Sequence, residues 1–426
     1  MLPYPERYPD LVEAVTATPL YDTHEHLQPE SERLALGDRL DFGFLFRAYL
    51  TADLVSAGMS ASLVEPLTTT ALSQDQKWQR VARFWPRVRH TGYGRAIEVT
   101  IQEVYGAPGL SEETYRDVSA AMRAHNRPGV HRWLIGEQAG VKRFVLHEVN
   151  DDAPMYRESA DPSLCHQALP VNRFLYDPIP LEQFAEDTGI QVDSWEGFLA
   201  TIDWYFERYG QEVVAIKNNC PYWRSLYFED VPAAEAARAF EKRYVRGEAI
   251  TPEETKAVQD ATFHHCLRQA ARLDLPVQIH TGYLAGNQNL DLDRIRPSLL
   301  TNLFRQYPDL RFDLFHMGYP FQLEVASLAK NFPNVHVDLC WAWIIDPYAT
   351  KRALQSFIGT VPINKIFGFG GDVRMADGVY GHSRVARWGI AWALAEMIDE
   401  GYLAEHDAVY VARKIMLENA QAFFGS

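Results

Sequence analysis

The chain has 426 residues, 47% hydrophobic and 23% charged, the proportions of a globular protein large enough to need no disulfide or structural-zinc staple. Its formal net charge of −15 repels polyphosphate backbones and anionic bilayer surfaces, so neither nucleic acid nor membrane is an expected partner and a small molecule is. No run of about 18 uncharged apolar residues could span a bilayer, and the opening MLPYPERYPDLVEAV lacks the basic-then-apolar order of a secretory signal. Cys165, Cys220, Cys266 and Cys340 show no CxxC spacing, which fits reduced thiols; a cytoplasmic protein is expected.

Short β-branched or aromatic runs, each ending in a polar or ionisable residue, recur along the chain. In order they are Pro19–Tyr21 before Asp22, Val141–Leu146 before His147, Arg173–Tyr176 before Asp177 and Val213–Ile216 before Lys217. Then come Val277–Ile279 before His280, Phe312–Phe315 before His316, Val335–Leu339, and Ile366–Phe369 running into Gly370, Gly371 and Asp372. Continuous apolar runs of this kind read as buried parallel strands. Between the first and second, residues 27–140 carry helical patterns at Phe42–Ala57, Leu72–Phe84 and Glu112–Arg123, an expected helical insertion or lid. The clearest helix opens at Thr251, with Pro252 at its first position and Glu254 closing a capping box. Arg384–Gly401 and Ala408–Phe424 read as helices too. The expectation is an α/β protein, a (β/α)₈ TIM-type barrel spanning residues 1–426 as one domain, with its active site at the C-terminal strand ends. An open doubly wound sheet is the alternative.

The chemistry sits at those run-ends. In Asp22-Thr-His24-Glu-His26 the histidines are two apart, so in an extended chain both imidazoles face one side and can converge on a cation. His280 and His316 each follow an apolar run directly, and Asp372 ends the last beside two glycines that permit close backbone approach to a ligand. Three such histidines and HxH with an aspartate, all at run-ends, point to one or two divalent metal ions; zinc is the first choice, with iron and manganese also compatible with imidazole. A bound cation lowers the pKa of water toward about 7, and an adjacent carboxylate acts as general base. Arg224, in an aromatic loop, has the fork geometry to grip a substrate carboxylate, or else forms a surface ion pair. Tyr93, Arg95, Trp341 and Trp343 are further candidates for substrate contact, with core packing the alternative for the tryptophans.

HxH after strand one, histidines after strands five and six and aspartate after strand eight together resemble the amidohydrolase superfamily. VVAIKNNCPYWR around Lys217 and HMGYP from His316 are similar to the amidohydrolase-related branch that includes domains fused to glutamine-synthetase-like modules. His90-Thr-Gly-Tyr93-Gly-Arg95 through Val104-Tyr105-Gly106 looks more like uronate isomerases. The resemblance implies that His24, His26 and Asp372 are metal ligands, with His280 a ligand or close neighbour, and that Asp372 also takes the proton from the metal-bound water and passes it to the leaving group. It further implies that His316 polarises a substrate oxygen or completes a second metal site, and that Lys217, if carboxylated, bridges two metals. An unmodified lysine offers no lone pair at neutral pH.

Three functions follow as expectations. The first is metal-dependent hydrolysis of an amide, ester or lactone carbonyl in a small, carboxylate-bearing substrate. The second is isomerisation of a sugar acid, and the third a non-catalytic binding or scaffold barrel. A homo-oligomer is compatible with all three.

Overall fold

The computed structural model describes residues 2–147 and 163–425. Eight parallel strands run in sequence order around the molecule: β1 (Leu20–Glu25), β2 (Val141–Leu146), β3 (Cys165–Pro170), β4 (Ala215–Asn218), β5 (Val277–Ile279), β6 (Phe312–Leu314), β7 (Val335–Asp338) and β8 (Ile366–Phe367). Each pairs in parallel with the next. The seam is closed by β1 and the residues just past β8. Thr23 N donates to Phe369 O at 3.1 Å, Asp372 N to His24 O at 2.8 Å, and His26 N to Val373 O at 3.1 Å. This is a (β/α)₈ barrel, and the closed seam excludes the open sheet.

One strand lies elsewhere than the apolar pattern predicts. β3 is Cys165–Pro170, whereas Asn172–Leu175 winds into a 3₁₀ turn with Phe174 and Leu175 buried. That run is apolar because it packs inward as a turn. The strand itself reads CHQALP, with polar residues where it pairs with the edge of β2 and proline at its last position, so it lacks the expected signature.

Residues between β1 and β2 form several helical pieces, including Phe42–Arg47, Leu50–Ser56, Gln74–Val81, Gly92–Glu103 and Tyr115–Ala124. The Thr251 signal is realised in full: Glu254 N donates to Thr251 Oγ1 at 3.2 Å and Thr251 N to Glu254 Oε2 at 2.8 Å, capping a helix from Pro252 to Arg272. A helix from Ala376 to Asp399 begins earlier than its apolar pattern suggests. Among the described residues no helix is long and apolar enough to cross a membrane.

The end of the barrel opposite the strand C-termini is filled by aromatic packing. Tyr21, Val145, Ala168, Ala215 and Phe367 from the strands cluster with Ala420, Phe423 and Phe424 of the Asn419–Phe424 helix. Arg311, just ahead of β6, donates to Phe423 O at 2.9 Å, which locates that helix at the strand starts.

Candidate metal centre

The glycines after β8 serve the seam. A Cβ on Gly371 would lie 1.8 Å from Glu25 Oε1, and one on Gly370 2.5 Å from Thr23 Oγ1. The close approach foreseen for a ligand is thus made to β1. Two buried acids clamp the same seam: Asp22 Oδ1 accepts from Gly371 N at 2.9 Å and His24 N at 3.2 Å, and Glu25 Oε2 accepts from Val373 N at 2.7 Å. Burial pushes Asp22 up to about 6 and Glu25 well above the ordinary carboxylate range. The motif DTHEH therefore divides its labour: His24 and His26 face the site, while Asp22 and Glu25 lock the backbone that carries Asp372.

The result is a tight cluster. His24 Nε2 and His26 Nε2 are 3.1 Å apart, and Asp372 Oδ1 is 3.2 Å from His26 Nε2 and 3.7 Å from His24 Nε2. His26 Nδ1 donates to His147 O at 3.0 Å, which in the neutral ring leaves Nε2 with its lone pair toward Asp372. His24 Nδ1 is buried without a hydrogen-bond partner among the described residues. Burial pushes the Asp372 carboxyl up, but the contact with His26 and the positive field of its neighbours, Lys217 among them, outweigh it and hold the group below its ordinary range. Two imidazoles and an ionised carboxylate converging within one ligand sphere fit a divalent cation.

His280 and His316 form a second pair. His280 Nε2 donates to Tyr283 O at 2.8 Å and His316 Nδ1 to Cys340 O at 3.0 Å, so the facing His280 Nδ1 and His316 Nε2, 3.0 Å apart, both carry lone pairs. Both rings are held neutral by burial, His316 at about 4 and His280 well below its ordinary value. His316 Nε2 lies 3.7 Å from Asp372 Oδ2. His280, expected beside His24 and His26, is instead turned toward His316.

Lys217 lies inside β4, fully buried, with Nζ 3.5 Å from the centre of the Phe315 ring. Its amine has no hydrogen-bond partner among the described residues. Burial lowers it to about 7, against the pull of Asp372, Cys340, Asp313 and Asp338. A lysine packed on an aromatic face is placed as a neighbouring charge; Lys217→Gln is expected to leave the bound metal unchanged by elemental analysis, and a lost equivalent would make Lys217 a ligand.

Arg224 is not brought to the cluster. Its guanidinium donates to Asp260 Oδ1 at 2.5 Å, Gln259 Oε1 at 3.2 Å, Tyr227 O at 2.9 Å and Ser225 O at 3.1 Å. Every donor group is committed internally, so the carboxylate grip foreseen for it is corrected to an internal ion pair.

Three further residues adjoin the cluster. Tyr49, from the segment between β1 and β2, donates to Asp372 Oδ1 at 3.0 Å and also contacts the Asp372 carbonyl. Its surroundings, FLFRAYL, look like core. His147 ends β2 with its ring 5.2 Å from that of His26 and Nε2 3.2 Å from Asn219 Nδ2; its place after an apolar run was the available signal. His382, on the Ala376–Asp399 helix, donates from Nδ1 to Gly371 O at 3.0 Å. Trp341 faces the site, its ring 4.5 Å from Tyr49 and 5.2 Å from His316. Tyr93 stacks on Trp341 at 6.3 Å, whereas Trp343 donates to Gly368 O at 2.9 Å in the core. Arg95 is half-buried on the Gly92–Glu103 helix.

Backbone strain gathers at the same place. His316, Met317, Trp341 and Asp372 have φ of 62°, 47°, 59° and 54°, a region that costs a non-glycine residue about 1–3 kcal/mol and persists where the surroundings impose it. All four follow β6, β7 or β8, the strand ends where barrels place their chemistry.

Comparison with known proteins agrees with this geometry. The family model described as Amidohydrolase matches residues 180–426, more than half of the chain. Protein fluG of Emericella nidulans is 24% identical over 203 residues, covering 46% of this chain and 23% of that protein. Uronate isomerase of Thermotoga petrophila is 20% identical over 259 residues, 57% of each chain. The matches thus span between about a quarter and a little over half of these curated relatives. The crystal structure of uronate isomerase from Thermotoga maritima superposes with a TM-score of 0.82 at 16% identity, covering 99% of this chain and 98% of that one. Because the family model spans more than half of the residues, the chain belongs to the amidohydrolase family.

Proposed function

We propose that this protein is a metal-dependent isomerase of sugar acids, moving a proton between adjacent carbons. The observation that carries the reading is Tyr49 hydrogen-bonded to Asp372: a segment outside the barrel delivers a second proton-carrying group to the cluster carboxylate. The match to uronate isomerases supports it.

His24, His26 and Asp372 would hold the cation, which when bound polarises a carbonyl oxygen and positions a neighbouring hydroxyl. Asp372, ionised at neutral pH, takes the proton from the carbon beside the carbonyl and returns it to the former carbonyl carbon. Tyr49 orients that carboxylate through its hydrogen bond. The lone pairs of His280 Nδ1 and His316 Nε2 accept from substrate hydroxyls; one of them takes the proton that its hydroxyl loses as the carbonyl shifts and returns it to the former carbonyl oxygen. Trp341 and Tyr93 narrow the mouth, and residues 27–140 act as its cover.

Turnover of hexuronates in D₂O tests the reading. Deuterium uptake at the product carbon is expected, and Tyr49→Phe should lower kcat roughly 10²-fold while preserving bound metal. Hydrolysis of amides, esters or lactones without carbon-bound deuterium would overturn it. Hydrolysis is the second reading, favoured by the family model and by the position of Asp372, which could equally take a proton from water.

A further inference from the structure

Cys340 lies two residues past the end of β7 and is a fully buried free thiol. Its sulfur, a ring nitrogen of His316 and a carboxylate oxygen of Asp372 lie within 4.8 Å of one another. A cation with bonds of about 2.0–2.3 Å closes such a span with a small side-chain adjustment.

The fold holds Cys340 in this place. Its N–H donates to Asp338 Oδ1 at 2.8 Å, and its carbonyl accepts from His316 Nδ1 at 3.0 Å. Its side chain occupies the room that Gly370 leaves, where a Cβ would stand 2.8 Å from the sulfur. The next residue, Trp341, turns the chain with φ of 59°. One residue thus fixes the tautomer of His316 through its carbonyl and brings a thiol to the same ring. The sulfur makes no hydrogen bond with any described residue. A core thiol needs none; what separates this one from core packing is its convergence with an imidazole lone pair and an ionised carboxylate.

Asp372 presents a different oxygen to each side. Oδ1 faces His26 at 3.2 Å and His24 at 3.7 Å, whereas Oδ2 faces His316 Nε2 at 3.7 Å. The carboxylate is therefore placed to bridge two cations. The two donor sets differ in kind: imidazole, imidazole and carboxylate on one side, imidazole, sulfur and carboxylate on the other. Sulfur is a soft ligand that favours zinc and its like over manganese or magnesium.

We propose that His316, Cys340 and Asp372 form a second, inhibitory site for a thiophilic divalent cation such as zinc, bridged to the first ion by Asp372. It takes its third donor from β7, and no carboxylated Lys217 is needed. On binding, the Cys340 S–H proton leaves to solvent and the sulfur electron pair goes to the cation; nothing is oxidised or reduced. The filled site withdraws Asp372 and His316 from the proton transfers assigned to them above. That blocking role rests on the isomerase reading, whereas the site itself does not.

Cobalt(II) is the probe, added anaerobically to metal-free protein while absorbance is read. The first equivalent, held by nitrogen and oxygen at His24, His26 and Asp372, should give no sulfur-to-cobalt charge-transfer band in the near ultraviolet. The second should bring that band in, and turnover should fall as it grows. Cys340→Ser should lose the band and need roughly tenfold or more cobalt for the same fractional loss of turnover. Two equivalents of manganese(II), a poor partner for thiolate, should leave turnover intact. Cadmium-113 NMR of wild type checks sulfur ligation without any variant, the second ion being expected downfield of the first. No band through two equivalents, or a band that persists in Cys340→Ser, overturns the site. A second equivalent bound without sulfur overturns it too, placing the ion between His280 and His316. A band with undiminished turnover overturns the inhibitory role. Failure of the isomerase reading shows separately, as absent deuterium uptake by protein holding one cobalt.

Discussion

Protein carrying His24→Ala and His26→Ala is expected to purify essentially free of divalent metal where wild type carries about one equivalent, and to be inactive. The pair supplies two of the three groups of the cluster, and Asp372 alone cannot replace them. The fold should survive, because the seam around these residues is held by main-chain bonds, Thr23 N to Phe369 O and Asp372 N to His24 O, which alanine leaves intact. Elemental analysis beside circular dichroism reads both halves of this expectation. Equal metal in both proteins would place the cation elsewhere. Near two equivalents in wild type, with one retained by the variant, would assign a second ion to the facing lone pairs of His280 and His316.

The second large effect concerns stability. Arg224→Ala is expected to cost about 3 kcal/mol of unfolding free energy, because it strips a counter-charge from a fully buried carboxylate. Asp260 is 0% exposed and, among the described residues, keeps Lys256 and the Glu229 N–H as partners once the guanidinium is gone. Urea denaturation followed by fluorescence measures the loss, and bound metal should not change. A variant as stable as wild type that has lost turnover would return Arg224 to the role its sequence context suggested.

What the sequence made legible follows from what each residue must do. Histidines and an aspartate directly after apolar runs are visible because a barrel exposes its chemistry at strand ends, and His24, His26 and Asp372 come together where that rule puts them. β3 was hidden because its residues are half polar, while the neighbouring turn borrowed the look of a strand. Tyr49 was hidden for a different reason. A tyrosine within FLFRAYL satisfies core packing with its ring, and only the fold reveals that its hydroxyl meets Asp372 from more than 300 positions away. Arg224 misled because guanidinium groups serve substrates and buried carboxylates alike, and sequence does not name the partner.

The aromatic plug of Phe423 and Phe424 has a consequence for how the molecule can be divided. It derives from residues that follow all eight strands, yet it touches Tyr21 of β1 and Phe367 of β8, with ring centres 5.8 Å from Phe424 in both cases. A fragment stopping short of residue 419 would contain all eight strands and the His24, His26 and Asp372 cluster and still lack the stopper of its own barrel. Such a fragment should behave as a loosened, dye-binding state, so the barrel and its final turn of helix stand or fall as one cooperative unit.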